Sequence, residues 1–222
     1  MKSELEISKL YNIEKTIAKD LLSSFEYPWE VLPNINNFIK ELGKTLSPLE
    51  YDNIGNDVYI SKTAKIADSA SITGPCIIDH NTEIRHCAFI RGSVIVGKNC
   101  VVGNSVELKN VILFDNVQVP HYNYVGDSIL GNFSHLGAGS LTSNVKSDKT
   151  LVSIRANNKI IETGLKKFGA MVGDFVEVGC NSVLCPGTVI GKGSRIYPVV
   201  RVRGYIPANS IVKSSSVIIK QI

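Results

Sequence analysis

One segment in the middle of the chain carries a residue suited to acid–base chemistry. His121 lies in VPHYNYVGDSILG, residues 119–131, and an imidazole that titrates near neutral pH can take a proton from an attacking group. Two cations precede it, Lys109 in VELKN and Arg91 a further 18 residues back (109 − 91 = 18). Arginine binds phosphate as a two-pronged donor and lysine as a point charge. Outside a defined fold the same residues are typical of a solvated surface.

The fold that carries them is indicated by a period of six. A large apolar residue occupies every sixth position over eleven hexads, namely Ile54, Ile60, Ile66, Ile72, Ile78, Ile84, Ile90, Val96, Val102, Leu108 and Phe114. Neither a helix nor an alternating strand has this period, whereas a parallel β-helix does. Three hexads make one 18-residue turn, and the sixth-position side chains stack inside it. Lys109 therefore lies one turn after Arg91 on the same face, where both cations would meet one dianion.

The period is interrupted twice. It breaks after Phe114, just before His121, and again over the insert 143–170. It restarts in two blocks, at Tyr124, Leu130 and Leu136 and at Val172, Val178, Leu184, Ile190, Ile196 and Val202. The resulting 20 hexads predict between six and seven turns. Insertions in a solenoid cluster on one side and commonly carry function. Within the insert, TLVSI and KIIET predict a hairpin that turns at Asn157 and Asn158.

The two ends of the chain differ from the repeat. Residues 1–50 have helical spacing and a second helix ending at Gly43, so we expect an N-terminal helical cap over the open end of the solenoid. Trp29 is interpreted as a packing anchor against the first turn rather than as a ligand platform. The β-helix domain is expected over 51–212, with a C-terminal tail over 213–222.

Composition narrows the functional classes. The 222 residues carry a formal net charge of +4 with no basic arm, so nucleic acid is not an expected partner, and the mild charge suits either an anionic ligand or a solvated surface. The five cysteines have no metal-type spacing, which favours reduced thiols and a reducing compartment. No apolar run resembles a signal peptide or reaches transmembrane length. We therefore expect a cytoplasmic protein without a membrane partner.

The motifs VPHYNYVGDS, HLGAGSLTSNVKSDK and ETGLKKFGAMVGD resemble those of the hexapeptide-repeat acyltransferases. They are most similar to the acetyltransferase domain of bifunctional glucosamine-1-phosphate acetyltransferase/sugar-1-phosphate nucleotidyltransferase enzymes of the archaeal type. The resemblance covers roughly residues 54–212. It implies an all-β solenoid in the form of a left-handed parallel β-helix and a homotrimer with its active sites between neighbouring prisms. The insert 143–170 is a candidate for reaching the neighbour.

The resemblance also implies an activity: acetyl-CoA as cosubstrate for N-acetylation of an amino-sugar 1-phosphate, either glucosamine-1-phosphate or galactosamine-1-phosphate, in UDP-N-acetylglucosamine biosynthesis. His121 matches the family's general base, which removes a proton from the sugar ammonium before its nitrogen attacks the thioester. Lys109 and Arg91 match the residues that bind the sugar phosphate.

Further substrate residues follow from the same alignment. Tyr124 and Asn144 match the family's tyrosine and asparagine. Tyr124 also occupies a sixth-position slot, so a core role is equally open, and Asn144 is also suited to a turn that opens the insert. Glu107 either fixes the rotamer of Lys109 or contacts a sugar hydroxyl. The role of His135, which stands where bacterial relatives have an asparagine, is left undecided.

The coenzyme residues come from the later turns. Ala138 lies in a Gly-Ala-Gly stretch and matches the residue whose amide contacts the acetyl-thioester region, although a tight corner explains the same glycines. Cys180 and Pro198 fall on the family's coenzyme contacts by register. Arg201 and Arg203 are candidates to meet the phosphates of coenzyme A.

Competing functions were weighed against these motifs. A zinc carbonic anhydrase on the same fold needs three converging histidines, and this chain has His80, His86, His121 and His135 without a matching motif. No metal site is therefore expected. A nucleotidyl-transfer domain needs a Gly-rich loop, which the first 50 residues lack, so the uridylyl step is expected from another protein. The remaining alternative is a non-catalytic trimeric sugar-phosphate-binding or scaffold protein that partners a separate nucleotidyltransferase.

Overall fold

The computed structural model describes residues 2–156, 159–214 and 217–220. A helical N-terminal region precedes a long stack of short strands. The α-helices are α1 Ile7–Leu10, α2 Lys19–Ser23 and α3 Ile35–Gly43, and the 3₁₀ helices are Lys2–Leu5, Ile13–Lys15 and Pro28–Asn34. Across these described ranges, no helix is long and apolar enough to cross a membrane.

The strands are mostly two to four residues long, because each covers one side of a narrow prism. In chain order they are β1 Tyr51–Asn53, β2 Val58–Ser61, β3 Lys65–Ile66, β4 Ser71–Ile72, β5 Cys76–Ile78, β6 Glu83–Ile84, β7 Phe89–Ile90, β8 Val94–Val96, β9 Val101–Asn104, β10 Glu107–Leu113, β11 Gln118–His121, β12 Tyr124–Leu130, β13 His135–Leu136, β14 Leu141–Thr142, β15 Ser153–Ala156, β16 Lys159–Glu162, β17 Ala170–Val172, β18 Glu177–Val178, β19 Val183–Leu184, β20 Thr188–Ile190, β21 Arg195–Ile196, β22 Arg201–Val202, β23 Tyr205–Ile206, β24 Ser210–Ser214 and β25 Val217–Lys220.

Parallel pairing between successive turns divides these strands into three faces. Face 1 contains β2, β5, β8, the second half of β10, the second half of β12, β17, β20 and β23. Face 2 contains β3, β6, β9, β11, β13, β18, β21 and β24. Face 3 contains β4, β7, the first halves of β10 and β12, β14, β19 and β22. The predicted left-handed parallel β-helix with an N-terminal helical region is confirmed.

The interior register differs from the predicted one in two places. Leu113 pairs with Val96, a turn of 17 residues (113 − 96 = 17), and Leu130 pairs with Leu113 after another 17. Each shortened turn lacks a residue at the corner between faces 3 and 1. Because strand side chains alternate, every later inward position moves by one. The interior positions are therefore filled by Leu113, Val119 and Val125 rather than by Phe114 and Tyr124.

Two further predictions about the repeat are wrong. Ile54 is 63% exposed and does not belong to an interior column, because β1 pairs antiparallel with β2 at the start of the prism. The solenoid has about eight turns rather than six to seven. Turns that depart from 18 residues, such as Ile190 to Ile206, escape a count based on strict spacing of six.

The N-terminal helices cover face 1 and not the open end of the prism. Face 1 has a second apolar row that points outwards and is fully buried, consisting of Ile77, Ile95, Ile112, Ile129, Met171 and Val189. The helical region binds along the side of the prism: the amide of Asp115 donates to Lys15 O at 2.9 Å, and that of Asp174 donates to Leu10 O at 3.0 Å. The expected end cap is thus a lateral cover, because the outward apolar row must be removed from water.

Trp29 shows the same difference. Its side chain is buried, as a packing anchor requires, but it stacks on Phe168 at 6.1 Å between ring centroids and on Tyr27 at 4.8 Å. Phe168 lies at the end of the insert, far along the chain from the first turn. The predicted contact with the first turn is therefore wrong, because the helices cross the side of the middle turns.

The insert forms a hairpin that packs on its own prism. Strand β15 pairs antiparallel with β16, as predicted, while the predicted turn at Asn157 and Asn158 lies outside the described residues. Ile154 is fully buried and Ile160 on the second strand is exposed. The insert leaves after β14 and returns before β17, where the amide of Gly169 donates to Asp127 O at 2.8 Å. Both ends of the insert thus lie at the corner between faces 3 and 1.

Candidate active site

Two corners of the prism border face 3. The histidine corner, between faces 2 and 3, holds one residue from each of six successive turns, namely His86, Asn104, His121, Ala138, Cys180 and Pro198. Backbone hydrogen bonds connect these turns: Gly139 N donates to His121 O at 3.0 Å, Asn181 N to Ala138 O at 2.9 Å, and Val199 N to Cys180 O at 2.9 Å. The structure therefore brings four of the residues selected from the sequence into one column.

A buried asparagine shapes the turn at His121. The side-chain oxygen of Asn123 accepts the His121 amide at 3.1 Å, and its Nδ2 donates to Gly137 O and Ser140 O, both at 2.9 Å. These bonds hold the turn that follows β11 against the Gly-Ala-Gly stretch of the next turn. The imidazole of His121 is exposed, and among the described residues it accepts or donates no side-chain hydrogen bond. Its ring is therefore free to meet a ligand or a neighbouring subunit.

The opposite border of face 3 is the aspartate corner, which comprises Lys109, Asn110, Gly126 and Asp127 together with Asn144 at the start of the insert. Asp127 is only 3% exposed. Its carboxylate accepts Asn110 Nδ2 at 2.9 Å and Asn144 Nδ2 at 2.5 Å, and both oxygens lie 3.4 Å from Lys109 Nζ. Asp127 was not selected from the sequence. The signal was the five-residue step between Val125 and Leu130, which marks this corner as irregular.

Tyr124 lies on face 3 beside this corner. Its hydroxyl accepts Asn144 Nδ2 at 3.2 Å. Burial, followed by the negative charges of Asp127 and Glu107, raises the pKa of Tyr124. The alternative of a core role is wrong, because Val125 takes the interior position and Tyr124 points outwards. Asn144 serves both of its expected roles in structural terms, since its backbone oxygen also accepts the Phe168 amide at 2.9 Å and closes the insert.

The two cations are adjacent but separately paired. Arg91 N donates to Leu108 O at 2.8 Å, which sets Arg91 beside Lys109 in the next turn. Arg91 Nη1 lies 2.5 Å from Glu107 Oε1, and this hydrogen bond raises the pKa of Arg91. Glu107 therefore pairs with Arg91, and the expectation that it fixes Lys109 is wrong. The pair is exposed, so its contribution to stability is small.

Two arginines extend face 3 towards the C-terminal turns. Successive pairing runs from Tyr124 to Leu141, then Val183 and Arg201, which puts Arg201 on the same outward row as Tyr124. Arg203 follows two residues later, and both side chains are exposed. Within the described chain neither forms an ion pair. This end of face 3 therefore offers unpaired positive charge.

The other histidines lie apart from this row. His135 is on face 2, where its Nδ1 lies 2.8 Å from Glu177 Oε2, so it does not fill a corner. His80 pairs with the buried Asp79 at 2.6 Å. In the part of the chain that the structure describes, no three His, Cys, Asp or Glu side chains converge as metal ligands.

Comparison with known proteins agrees with this architecture. The model of a family described as GMPPB C-terminal domain matches residues 72–165. The bifunctional protein GlmU of Methanococcus maripaludis is 33% identical over 214 residues, which cover 88% of this chain and 47% of that protein. The uncharacterised acetyltransferase YaiX of Escherichia coli is 30% identical over 159 residues, 72% of this chain and 69% of its own length. The chain belongs to the hexapeptide-repeat acyltransferases.

A third relative is also composite. The bifunctional sugar-1-phosphate nucleotidylyltransferase/acetyltransferase of Sulfurisphaera tokodaii is 31% identical over 216 residues, 88% of this chain and 53% of that protein. The chain thus spans about half the length of its two archaeal relatives. As a hexapeptide-repeat acyltransferase it carries the residues expected for acetyl transfer on and around face 3, between the histidine and aspartate corners.

Proposed function

We propose that this chain is an acetyl-CoA-dependent N-acetyltransferase that acts on an amino-sugar 1-phosphate, either glucosamine-1-phosphate or galactosamine-1-phosphate, in the biosynthesis of UDP-N-acetylglucosamine. The observation that carries the proposal is the arrangement of face 3. An exposed histidine stands at one border, and Lys109, Asp127, Asn144 and Tyr124 form a connected polar cluster at the other. A base and an anion-binding cluster on one face are what transfer to a phosphorylated amine requires.

The reaction proceeds by direct attack. His121 accepts a proton from the sugar ammonium, and the free amine nitrogen attacks the thioester carbonyl carbon. The carbonyl oxygen becomes an oxyanion, for which the amide of Ala138 in the next turn is the proposed donor. Collapse of the intermediate breaks the carbon–sulfur bond. Coenzyme A leaves as a thiolate that takes up a proton, and the N-acetyl sugar phosphate is formed.

Arg91 and Lys109 are the proposed phosphate ligands. In the free chain each is paired with a carboxylate, Glu107 and Asp127 respectively. A phosphate that approaches these pairs offers more acceptor oxygens and a larger negative charge than a single carboxylate. Tyr124 and Asn144 are the proposed partners of the sugar hydroxyls. Glu107 is the proposed acceptor for a hydroxyl once Arg91 has turned towards the phosphate.

The coenzyme is proposed to lie along the later turns. Cys180 and Pro198 continue the histidine corner beyond Ala138, so a long ligand with its thioester at Ala138 would pass them in order. Arg201 and Arg203 are the proposed contacts of its phosphates. We further propose a homotrimer, because the exposed His121 lacks an orienting side-chain partner in its own described chain. If the insert contributes to the neighbour, the exposed strand β16 is the part that does so, since β15 faces its own prism.

Release of free thiol from acetyl-CoA tests the proposal, with glucosamine-1-phosphate, galactosamine-1-phosphate and the unphosphorylated sugars as acceptors. Replacing His121 by Ala is expected to lower kcat/KM by about 10²–10⁴-fold. His86→Ala is the matched control, because His86 occupies the same corner two turns earlier and should leave the rate unchanged. Full activity in His121→Ala would contradict the mechanism. Binding of a sugar phosphate without any turnover would instead favour the non-catalytic scaffold.

A further inference from the structure

We infer that Asp127 is a positioning residue for the amino-sugar phosphate: its buried carboxylate orients Lys109 and Asn144, and through Asn144 it orients Tyr124. This inference rests on the proposed function, because it assigns a task within that substrate site. Asp127 itself is too deeply buried to be a main contact of the sugar. It acts through the three side chains around it.

The contacts of Asp127 join segments that are far apart in the sequence. Lys109 and Asn110 reach it from the preceding turn, and Asn144 reaches it from the start of the insert. Lys109 Nζ lies astride both carboxylate oxygens at 3.4 Å, a longer separation than those of the two amide donors. The lysine is therefore held in place by charge but remains able to shift towards a phosphate.

A second buried aspartate shows what a structural role looks like in this fold. Asp174 is 1% exposed, at the corner between faces 1 and 2, and it also pairs with a lysine, Lys192, at 3.3 Å. Its oxygens accept backbone amides, from Asn12 at 2.7 Å and from Asn132 at 2.9 Å. Asp174 thus fastens one stretch of backbone to another.

The carboxylate of Asp127 accepts side-chain donors only. Its partners include two of the residues proposed to bind substrate, and a third, Tyr124, is bonded to one of them. A carboxylate that fastened only the fold would be expected to accept backbone amides, as Asp174 does. This difference in partners assigns Asp127 to the orientation of functional side chains.

Asp127→Asn tests the inference. Asparagine tolerates the left-handed conformation that Asp127 adopts, with φ of 48°, so the backbone should be kept. The amide has one acceptor oxygen in place of two and no charge. We expect KM for the sugar phosphate to rise about tenfold or more, since charge-assisted hydrogen bonds are lost, while KM for acetyl-CoA changes less than about twofold. Asp174→Asn should lower the melting temperature but leave both KM values unchanged.

An equal rise of both KM values in Asp127→Asn, or an unchanged KM for the sugar phosphate, would overturn the inference. A double-mutant cycle with Asn144→Ala adds a second criterion: the two changes should be non-additive in KM, because one residue acts through the other. If Asp127→Asn fails to fold, Asp127→Glu combined with Asn144→Ala provides the same cycle with the charge retained.

The failure of the inference can be separated from the failure of the proposed function. If the wild-type chain acetylates no amino-sugar phosphate, the proposed function is wrong, and calorimetric binding of glucosamine-1-phosphate becomes the readout. Binding that weakens about tenfold in Asp127→Asn and is unchanged in Asp174→Asn would still support the positioning role. Equal binding by all three proteins, or no binding by the wild type, would overturn it.

Discussion

The side-chain amide of Asn144 donates a hydrogen bond of 3.2 Å to the hydroxyl of Tyr124, although 20 residues separate them in the sequence. This bond ties the start of the insert to face 3 of the preceding turn. Gly126 makes room for it, since a Cβ at that position would lie 2.4 Å from the tyrosine oxygen. The insert is therefore coupled to the candidate active site where it leaves the prism.

Tyr124→Phe should weaken the acceptor site without disturbing the fold. The ring remains, but the oxygen that accepts from Asn144 is lost, so we expect KM for the sugar phosphate to rise by roughly three- to tenfold, the effect of one hydrogen bond of about 1 kcal/mol. Steady-state kinetics with saturating acetyl-CoA measure it. Tyr122→Phe is the control, because Tyr122 is a neighbouring, exposed tyrosine. Equal effects of the two changes would argue against a specific role for Tyr124.

Gly204→Ala should detach the hairpin of the insert from the later turns. Gly204 has φ of 78°, and a Cβ there would lie 2.4 Å from Arg155 O on β15. We expect faster tryptic cleavage at Arg155 and a lower melting temperature. Gly55→Ala separates the two causes, because Gly55 has φ of 96° but no atom within 4 Å of the added carbon. The control should show only the backbone strain, about 1–2 kcal/mol. Identical proteolysis of the two variants would rule out the steric explanation.

Trp29→Ala should strongly destabilise the attachment of the N-terminal helices. The indole is 4% exposed between Tyr27 and Phe168, and truncating a buried aromatic residue costs about 3–5 kcal/mol of unfolding free energy. Denaturant unfolding measures the loss. Phe133→Ala is the comparison, because Phe133 is 53% exposed and stacks only on Phe175, so a loss below about 1.5 kcal/mol is expected. A similar loss in both variants would contradict the lateral cover.

The thiols should differ sharply in reactivity. Burial raises the pKa of Cys76 to about 12, so at pH 8 its thiol is protonated and shielded, whereas Cys87 and Cys180 are exposed. Mass spectrometry after alkylation at pH 8 should find the two exposed cysteines modified and Cys76 unmodified until the chain is unfolded. Acetyl-CoA should protect Cys180 but not Cys87, if the coenzyme follows the histidine corner. Equal protection of both would contradict that path.

The same pKa shift predicts a loss of stability in alkali. The folded-state pKa of Cys76, about 12, lies above its ordinary value of 9.0. The stabilisation from keeping the thiol neutral is therefore complete below pH 9 and declines as the pH rises through 12. Denaturant midpoints measured from pH 8 upwards should fall in the wild type, and the decline should be smaller in Cys76→Ala. An identical decline in both proteins would show that Cys76 does not contribute.

Much of the fold follows from local pattern. The six-residue period predicts the parallel β-helix, because a residue that points into a narrow prism must be apolar at every turn. The outward apolar row of face 1 is also visible in the sequence, as paired apolar residues in CII, VIV, VIL and AMV. It was overlooked because the search followed one interior position per hexad. Reading both positions would have predicted a lateral cover in place of an end cap.

The sequence by itself determined the repeat, the two interruptions and the histidine motif, since each depends on residues close together in the chain. Only the tertiary structure decided which side chains turn inwards after a shortened corner, and which carboxylate each cation meets. Lys109 bonds to Asp127 and Asn144 to Tyr124 because strands one turn apart stack at a fixed register. That register moves by one position when a corner loses a residue, so a strict period of six assigned Tyr124 to the core and missed Asp127.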